Sequence, residues 1–512
     1  MIVHTNQVTI NKQKQLLIIS MNCFVLFLII VVFRLIATGE FIGKYDNLIY
    51  PVCWLLLFTF IWAVISWKWL INRFFDPYIL FLFSFLLFNG GQGVLEILHL
   101  NTFGILASND PRSLNANFSS EILITTLLIV ILSLTTLHTG ALFNIVLNKD
   151  KKVIFKKDDV SPKKFLLIHK YVLWIGWVLL GISLVPAFFT LGSAISNVTT
   201  YGYLALYQEN IPVGAEATPR ILATFLIPAA LFLLAGSNKK QNIIAISMIV
   251  IITISIIQLF LGARSQAVMP MVAYLWLWHR CIKPLPKVLI LISSSLVLLI
   301  ILPLVGSIRL ISGEDRLSLD FIIDAFFSID NPAIAIFSEM GSSMGTIAHT
   351  IELVPSQRGF DMGASYGYAL LTLIPNLFWD IHPTIARGLA EKWLVDTVNP
   401  YISSIGGTMG YSFIAEAYLN FGLIGTAIFM AFFGFLFAKL TLWSVKDNQP
   451  AKMATMASFL SFVLFYPRAE SALLIRPLVW YSLLPYLLTN VVKLTHKKSV
   501  TSKLIGKVYK KY

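Results

Sequence analysis

Charge is what this sequence has least of. Only 12% of its 512 residues are Asp, Glu, Lys or Arg, about half the share of a soluble domain, which excludes an ordinary soluble enzyme. Cysteine is almost as scarce. Cys23 and Cys53 lie inside apolar blocks and Cys281 in a short basic loop. With no CxxC and no Cys/His cluster there is neither a disulfide framework nor a zinc signature, and no metal or other cofactor is expected. There is also no Walker or GxGxxG pattern, no heptad register and no internal repeat. The net charge of +14 thus has no nucleotide motif to accompany it, and no nucleic-acid partner is expected.

Long hydrophobic runs stand in their place. Apolar residues make up 57% of the chain and gather into blocks of the length a helix needs to cross about 30 Å of hydrocarbon. Twelve spans are expected, near 16–36, 48–67, 75–98, 120–147, 168–191, 219–236, 243–262, 266–279, 288–308, 422–442, 453–467 and 478–492. The first follows Lys12 and Lys14; it is too long for a signal-peptide core and has no small-residue cleavage site. The expected fold is an all-α polytopic membrane protein in a lipid bilayer.

Loop charge orients these spans. One side holds Lys68 with Arg73, seven lysines from Lys149 to Lys164, Lys239 with Lys240, Arg280 with Lys283 and Lys287, Lys446 with Lys452, and the tail from Lys493 to Lys511. The positive-inside rule makes that side, with both termini, cytoplasmic. The division is then 27 basic and 5 acidic residues inside, a net +22, against 12 basic and 20 acidic outside, a net −8. The two basic residue types separate: 25 of 27 lysines are inside, while 10 of 12 arginines are outside, namely Arg34, Arg112, Arg220, Arg264, Arg309, Arg316, Arg358, Arg387, Arg468 and Arg476. Orientation requires no positive charge outside. Guanidinium is a planar, permanently charged fork suited to phosphate and diphosphate, so the outer arginines are anion-binding candidates; the others pair with outer acids or headgroups.

The chain divides into a membrane bundle of about nine spans at 1–308, one long outer loop at 309–410, about three spans at 411–492 and a basic tail at 493–512. A loop of that length, neither low in complexity nor highly polar, is expected to fold, with helices, on the outer face and to carry function. Within it Asn331-Pro332 reads as an N-cap with proline at the first helical position, opening a helix that reaches Val354 before Pro355. Helical spacing puts Glu339, Ser343, Thr346 and Thr350 on one face with Ser342 and His349 beside them. That stripe is either an interfacial helix's wet face or a cavity lining, and its small hydroxyls favour the cavity. The stretch 368–379 is too short to span and is bounded by aromatics, so it reads as re-entrant or interfacial.

Ser412, Glu416 and Asn420 follow i, i+4, i+8 as the tenth span begins. An ionisable residue there is costly unless it faces the bundle or water, so Glu416 is a functional candidate or a carboxylate bonded to a neighbouring helix end. Arg264 sits in a tight Gly-Ala-Arg turn, and Arg468-Ala-Glu470 and Arg476 flank the last outer loop. Arginines in short turns at the outer boundary suit a lipid-linked diphosphate.

The late long loop, the Gly-Ala-Arg264 turn, the Glu339-Met-Gly-Ser-Ser and Gly363-Ala-Ser-Tyr segments, the Gly410-Tyr-Ser-Phe-Ile-Ala-Glu416-Ala-Tyr-Leu-Asn-Phe-Gly422 run and the Pro-Arg468-Ala-Glu turn together resemble the Wzy-type O-antigen polymerases, over roughly residues 160–490. The Glu-Ala-Tyr-Leu-Asn-Phe-Gly run is the most specific part. The resemblance implies a GT-C-like, metal-independent glycosyltransferase of the bacterial inner membrane with its active site facing the periplasm. It would move a growing glycan from undecaprenyl diphosphate onto the next lipid-linked repeat unit, working with a chain-length regulator and a flippase. Arg264, Arg309, Arg468 and Arg476 would take the leaving diphosphate and Arg358 would lie nearer the sugar. Glu339, Glu416 and His349 are the candidate bases, while Tyr411 and Asn420 join the glycan-binding candidates. Tyr366, Tyr368 and Trp379 either stack on sugars, as Tyr411 could, or form an interfacial belt. Competing readings are an O-antigen ligase, a flippase or transporter of the same lipid-linked unit, and a sensor or assembly scaffold.

Overall fold

A computed structural model describes residues 12–37, 45–101, 106, 118–147, 162–208, 218–309, 318–376 and 379–509. Arg112 and Arg316, and most of the lysine-rich 149–164 loop, lie outside the described residues. Helices dominate and no strand occurs among the described residues. The N-terminal bundle comprises α1 (Lys12–Ala37), α2 (Tyr45–Ile71), α3 (Pro77–Ile97), α4 (Ser120–Leu147), α5 (Pro162–Tyr201), α6 (Thr218–Gly236), α7 (Gln241–Leu261), α8 (Arg264–Cys281) and α9 (Lys287–Ile308). The long loop holds α10 (Leu319–Phe327), α11 (Pro332–Met340), α12 (Ser343–Leu353), α13 (Ala364–Leu371), α14 (Pro383–Arg387), α15 (Ala390–Val398) and α16 (Pro400–Ser404). The chain returns through α17 (Phe413–Val445), α18 (Pro450–Val463) and α19 (Ala472–His496).

Ten of the described helices are long and apolar enough to cross a membrane, or eleven if the pair Asp320–Phe327 and Pro332–Leu353, bent by 85°, forms one broken span. The shortfall from twelve falls at 266–279 and 453–467. Those segments form α8, which carries arginines, a histidine and a proline, and α18, only 14 residues long. The two pack on each other, and α18 also packs on α6, inside the bundle. Surrounded by protein, α18 needs less of the apolar length that lipid contact demands.

The centre is α4, the most buried of the spans, packed on α17, α2, α1 and α12. Lipid tails are as apolar as leucine, so close van der Waals approach holds such helices together. A Cβ on Gly140 would lie 1.8 Å from the Ala431 carbonyl oxygen, and one on Gly434 would lie 1.9 Å from that of Leu137. Glycine at both positions lets the α4 and α17 backbones touch. At the periphery α1 and α9 present Leu17, Phe24, Phe27, Leu289 and Ile292 outward, as a lipid-facing surface requires.

The long loop packs into the bundle: α11 packs on α3, and α12 packs on α4 and α17. Asn331 caps α11 as its sequence predicts, its side chain accepting from the Ala333 and Ile334 amides, with Pro332 first. The helix expected to continue to Val354 is interrupted at Gly341–Ser342, because Gly341 lies against the α3 backbone, where a Cβ would come 2.9 Å from the Gln92 nitrogen. The stripe therefore divides. Ser343, Thr346, Thr350 and His349 are buried, where Thr346 accepts the Ser412 amide and Thr350 meets the Tyr411 hydroxyl. Tertiary pairing uses the two threonine hydroxyls, while Ser343 Oγ is buried without a hydrogen-bond partner among the described residues. The 368–379 stretch forms the end of α13 and a turn at 372–374, and residues 377–378 lie outside the described ones.

Candidate functional site

Three arginines from three separate turns converge on Glu339. The chain ends α7 at Gly262, whose φ of 85° suits glycine, and Arg264 opens α8 two residues later. Arg264 is 5% exposed; Nη1 donates to the Leu302 carbonyl at 3.0 Å and Nη2 to the Glu339 carboxylate. Arg309, at the C-terminal end of α9, reaches the same carboxylate at 3.1 Å. Its guanidinium lies 5.3 Å from the Tyr203 ring centroid, and its buried Nε has no hydrogen-bond partner among the described residues.

Arg468 approaches from behind. Its Nη1 donates to the Glu339 carbonyl at 2.9 Å and to Ser342 Oγ at 3.1 Å, a cation at the C-terminus of α11 where unpaired carbonyls favour one. Burial lowers the Arg468 pKa, the Glu339 and Glu391 carboxylates oppose that, and Arg264 and Arg309 add to it. Around Glu339, then, two guanidinium groups bind the carboxylate and a third holds the main-chain carbonyl. The Glu339 side chain is 34% and the Arg309 side chain 27% exposed.

A second centre closes on Asp361. Arg358 donates to its Oδ1 at 2.9 Å and Arg387 to its Oδ2. Arg358 lies 4.4 Å above the Trp393 ring and Arg387 4.9 Å above that of Tyr368, positions in which a guanidinium meets the negative face of the π system. The backbone that holds this centre comes from Gly422, where α17 breaks at φ 65°, ψ −162°. The break leaves the carbonyls before it without helical partners, and those of Leu419 and Asn420 accept the Asp361 and Met362 amides.

Between the centres runs a buried polar seam. Glu416 Oε1 accepts the Ser365 hydroxyl at 2.8 Å, and Oε2 accepts both the amide and the hydroxyl of Ser471 at 2.7 Å. Asn420 donates to Ser365 Oγ and accepts the Gly363 amide. Ser412 caps α17 and donates to Asn89, whose amide nitrogen donates to the Pro467 carbonyl. Glu470 accepts the Ala390 and Glu391 amides at the start of α15. Burial, joined by the neighbouring Glu416 carboxylate, pushes Glu470 up to about 8.

The structure thus brings Arg264, Arg309, Arg468 and Glu339 together. Glu416, Asn420 and Tyr411 are fully buried in the scaffold beside them. His349 packs on the Phe118 ring at 4.5 Å, 3.8 Å from Glu352. Arg476 Nε donates to the Thr372 carbonyl at 2.7 Å, and Arg358 belongs to the second centre. Tyr366 stacks on Phe429, and Trp379 packs on His382.

Sequence reasoning did not single out Asp361, Ser365 or Ser471, and left Arg387 among the undifferentiated outer arginines. Only Arg358 and Asp361, at i and i+3, carry a local signal. Among the described residues no group of three or more His, Cys, Asp or Glu side chains is arranged to hold a metal ion.

A family model described as "O-antigen polysaccharide polymerase Wzy" matches residues 18–499. No curated protein and no solved structure matches the chain.

Proposed function

From the premise that the chain belongs to the O-antigen polysaccharide polymerase Wzy family, we propose that it polymerises oligosaccharide repeat units carried on undecaprenyl diphosphate at the periplasmic face of the inner membrane. The observation that carries this reading is the Glu339 centre, where the Arg264 and Arg309 guanidinium groups bind one partly exposed carboxylate and Arg468 holds the main chain behind it. That is the charge balance a departing diphosphate needs.

In the reaction the bond between the anomeric carbon and the diphosphate oxygen breaks, and the electron pair leaves on undecaprenyl diphosphate. A hydroxyl of the incoming lipid-linked repeat forms the new glycosidic bond and gives up its proton. The diphosphate is already a good leaving group, so the protein's task is to orient two lipid-anchored substrates and stabilise developing charge. Arg264 and Arg309 take the diphosphate oxygens, and the unpartnered Nε of Arg309 offers a further donor. Arg468 is a positioning residue, fixing the end of α11. Glu339 holds the place of the phosphate until substrate displaces it, and then stands within reach as the base. Glu416 and Asn420, saturated and buried, orient Ser365 and Ser471 and so the walls of the site.

The deciding experiment is gene deletion followed by gel analysis of surface polysaccharide. A polymerase leaves a single repeat on the lipid core, whereas a ligase leaves none. Complementation with Arg264→Lys keeps the charge and removes the fork; wild-type ladders at normal protein level would sink the arginine assignment.

A further inference from the structure

Helix α3 grips the main chain behind the Glu339 centre through side chains that the proposed chemistry does not use. Its path is α-helical over Pro77–Phe85 and Gly91–Ile97 and π-helical over Leu86–Gly90. A π-turn bonds i to i+5 and so takes up one extra residue. The extra residue changes what the helix can hold. On an uninterrupted α-helix, at about 100° per residue, Ser84 and Asn89 would stand about 140° apart. With the π-turn between them both reach one turn of the chain: Ser84 Oγ donates to the Leu464 carbonyl, and Asn89 Nδ2 to the Pro467 carbonyl at 3.0 Å. Further along, at i+3 from Asn89 and so on the same face, Gln92 Nε2 donates to the Ser338 carbonyl at 3.0 Å.

The two carbonyls that Asn89 and Gln92 hold occupy equivalent places. Pro467 immediately precedes Arg468, and Ser338 immediately precedes Glu339. One face of α3 therefore fixes the chain at the root of the carboxylate and at the root of the arginine behind it. Both amides are buried, where an amide is costly unless it is bonded. Asn89 is bonded at both ends, since its Oδ1 accepts the Ser412 hydroxyl at 2.7 Å. Gln92 is not: its Oε1 has no hydrogen-bond partner among the described residues. A leucine of similar size would avoid that cost, so what the position keeps is the Nε2 donor. Gly91 brings the donor within reach, because a Cβ there would lie 3.0 Å from the Phe337 carbonyl oxygen and hold α11 away.

We propose that Asn89 and Gln92 are positioning residues for the polymerase reaction: together they set the spacing of Arg468 and Glu339, and with it the place of the base relative to the diphosphate. The inference rests on the proposed polymerase reading for the chemistry and on these hydrogen bonds for the geometry. Arg264 and Arg309 come from α8 and α9 and are held by neither amide. Binding of the diphosphate and placement of the base are therefore separable, and a base misplaced by about 1 Å loses up to about 10²-fold in rate.

The test complements the deletion strain with full-length variants and reads polymer per folded chain, beside calorimetry of inorganic pyrophosphate on the purified protein. Asn89→Leu and Gln92→Leu keep bulk and remove the donors. Each should lower polymer about 10–10²-fold and leave pyrophosphate affinity within about twofold of native. A residue that acts through Arg468 is not additive with it. In an Arg468→Lys background Asn89→Leu should therefore cost less than about twofold more, whereas in Arg264→Lys the two losses should multiply. Gln92→Leu tests the proposal by itself if Asn89→Leu does not fold. Native polymer levels in the variants, pyrophosphate affinity that falls in step with polymer, or losses that multiply in both backgrounds would each overturn the proposal. A normal ladder in the deletion strain would remove the polymerase reading itself. A ladder lost on deletion but kept in Asn89→Leu and Gln92→Leu would remove only the positioning role, so the two failures are distinguishable.

Discussion

The Glu339 and Asp361 centres use the same groups to different ends. At Asp361 two guanidiniums share one carboxylate whose side chain is 11% exposed, and each is also stacked on an aromatic ring. One positive charge is left over there, but both guanidiniums are covered by aromatic rings, and the broken helix at Gly422 fastens the backbone. At Glu339 two guanidiniums meet one carboxylate that is 34% exposed, a third holds the main-chain carbonyl, and the Arg309 Nε has no hydrogen-bond partner among the described residues. An arginine cluster becomes an anion site when positive charge exceeds what the protein itself neutralises and solvent can reach it. The Asp361 centre fixes the long loop, and the Glu339 centre is the one proposed for the diphosphate.

The largest expected difference between them follows from removing a guanidinium. Arg264→Ala should lower polymer formation about 10²–10³-fold, the loss typical of one donor to developing charge, and Arg264→Lys about tenfold because the fork is gone. The equivalent change in the other centre, Arg387→Lys, should leave polymer per folded molecule within about threefold. Ladder intensity normalised to protein level checks both, and equal losses would erase the distinction.

Glu339→Gln sharpens it in the opposite direction. The native carboxylate taxes any incoming anion by the fraction of time the arginines are free of it. The variant should bind inorganic pyrophosphate about tenfold more tightly by calorimetry and still fail to polymerise, because the base is lost. Weaker binding would mean that Glu339 organises the arginines rather than holding their place. Asp361→Asn should act on stability instead, costing about 1.5–3 kcal/mol for lost charge-assisted hydrogen bonds, read as a lower thermal midpoint in detergent with pyrophosphate affinity unchanged.

What was legible in the sequence was local. Asn331-Pro332 starts a helix because capping needs only neighbouring residues, and the boundary at Gly422 shows in the run that ends there. Arg264, Arg309 and Arg468, picked out by residue type, do come together around Glu339. Pairing was not legible: Arg264 and Glu339 are 75 residues apart, and nothing in either segment names the other. The interruption at Gly341 escaped periodicity because its cause is the α3 backbone at Gly91 and Gln92. The polar stripe misled for a related reason, since small hydroxyls at a helix–helix contact have the same spacing as hydroxyls lining a cavity.

The smallest effect concerns the turn that ties the two centres together. Arg468 grips the end of α11 at the first, while Glu470, two residues on, holds the start of α15, whose Trp393 lies under Arg358 of the second. Burial and the nearby Glu416 carboxylate raise Glu470 from 4.5 to about 8. An acid raised in the folded state binds more protons there than when unfolded, so its contribution is fully present below about pH 4.5. It declines as pH rises, by at most about 1.4 kcal/mol per pH unit for one group, until the pH passes about 8. Glu470→Gln cannot titrate, so its thermal midpoint should fall less between pH 5 and 8 than that of the native chain. Parallel curves would show that the proton on Glu470 does not stabilise the turn. If the slopes differ but pyrophosphate affinity is flat with pH in both proteins, the turn joins the centres mechanically without transmitting charge between them.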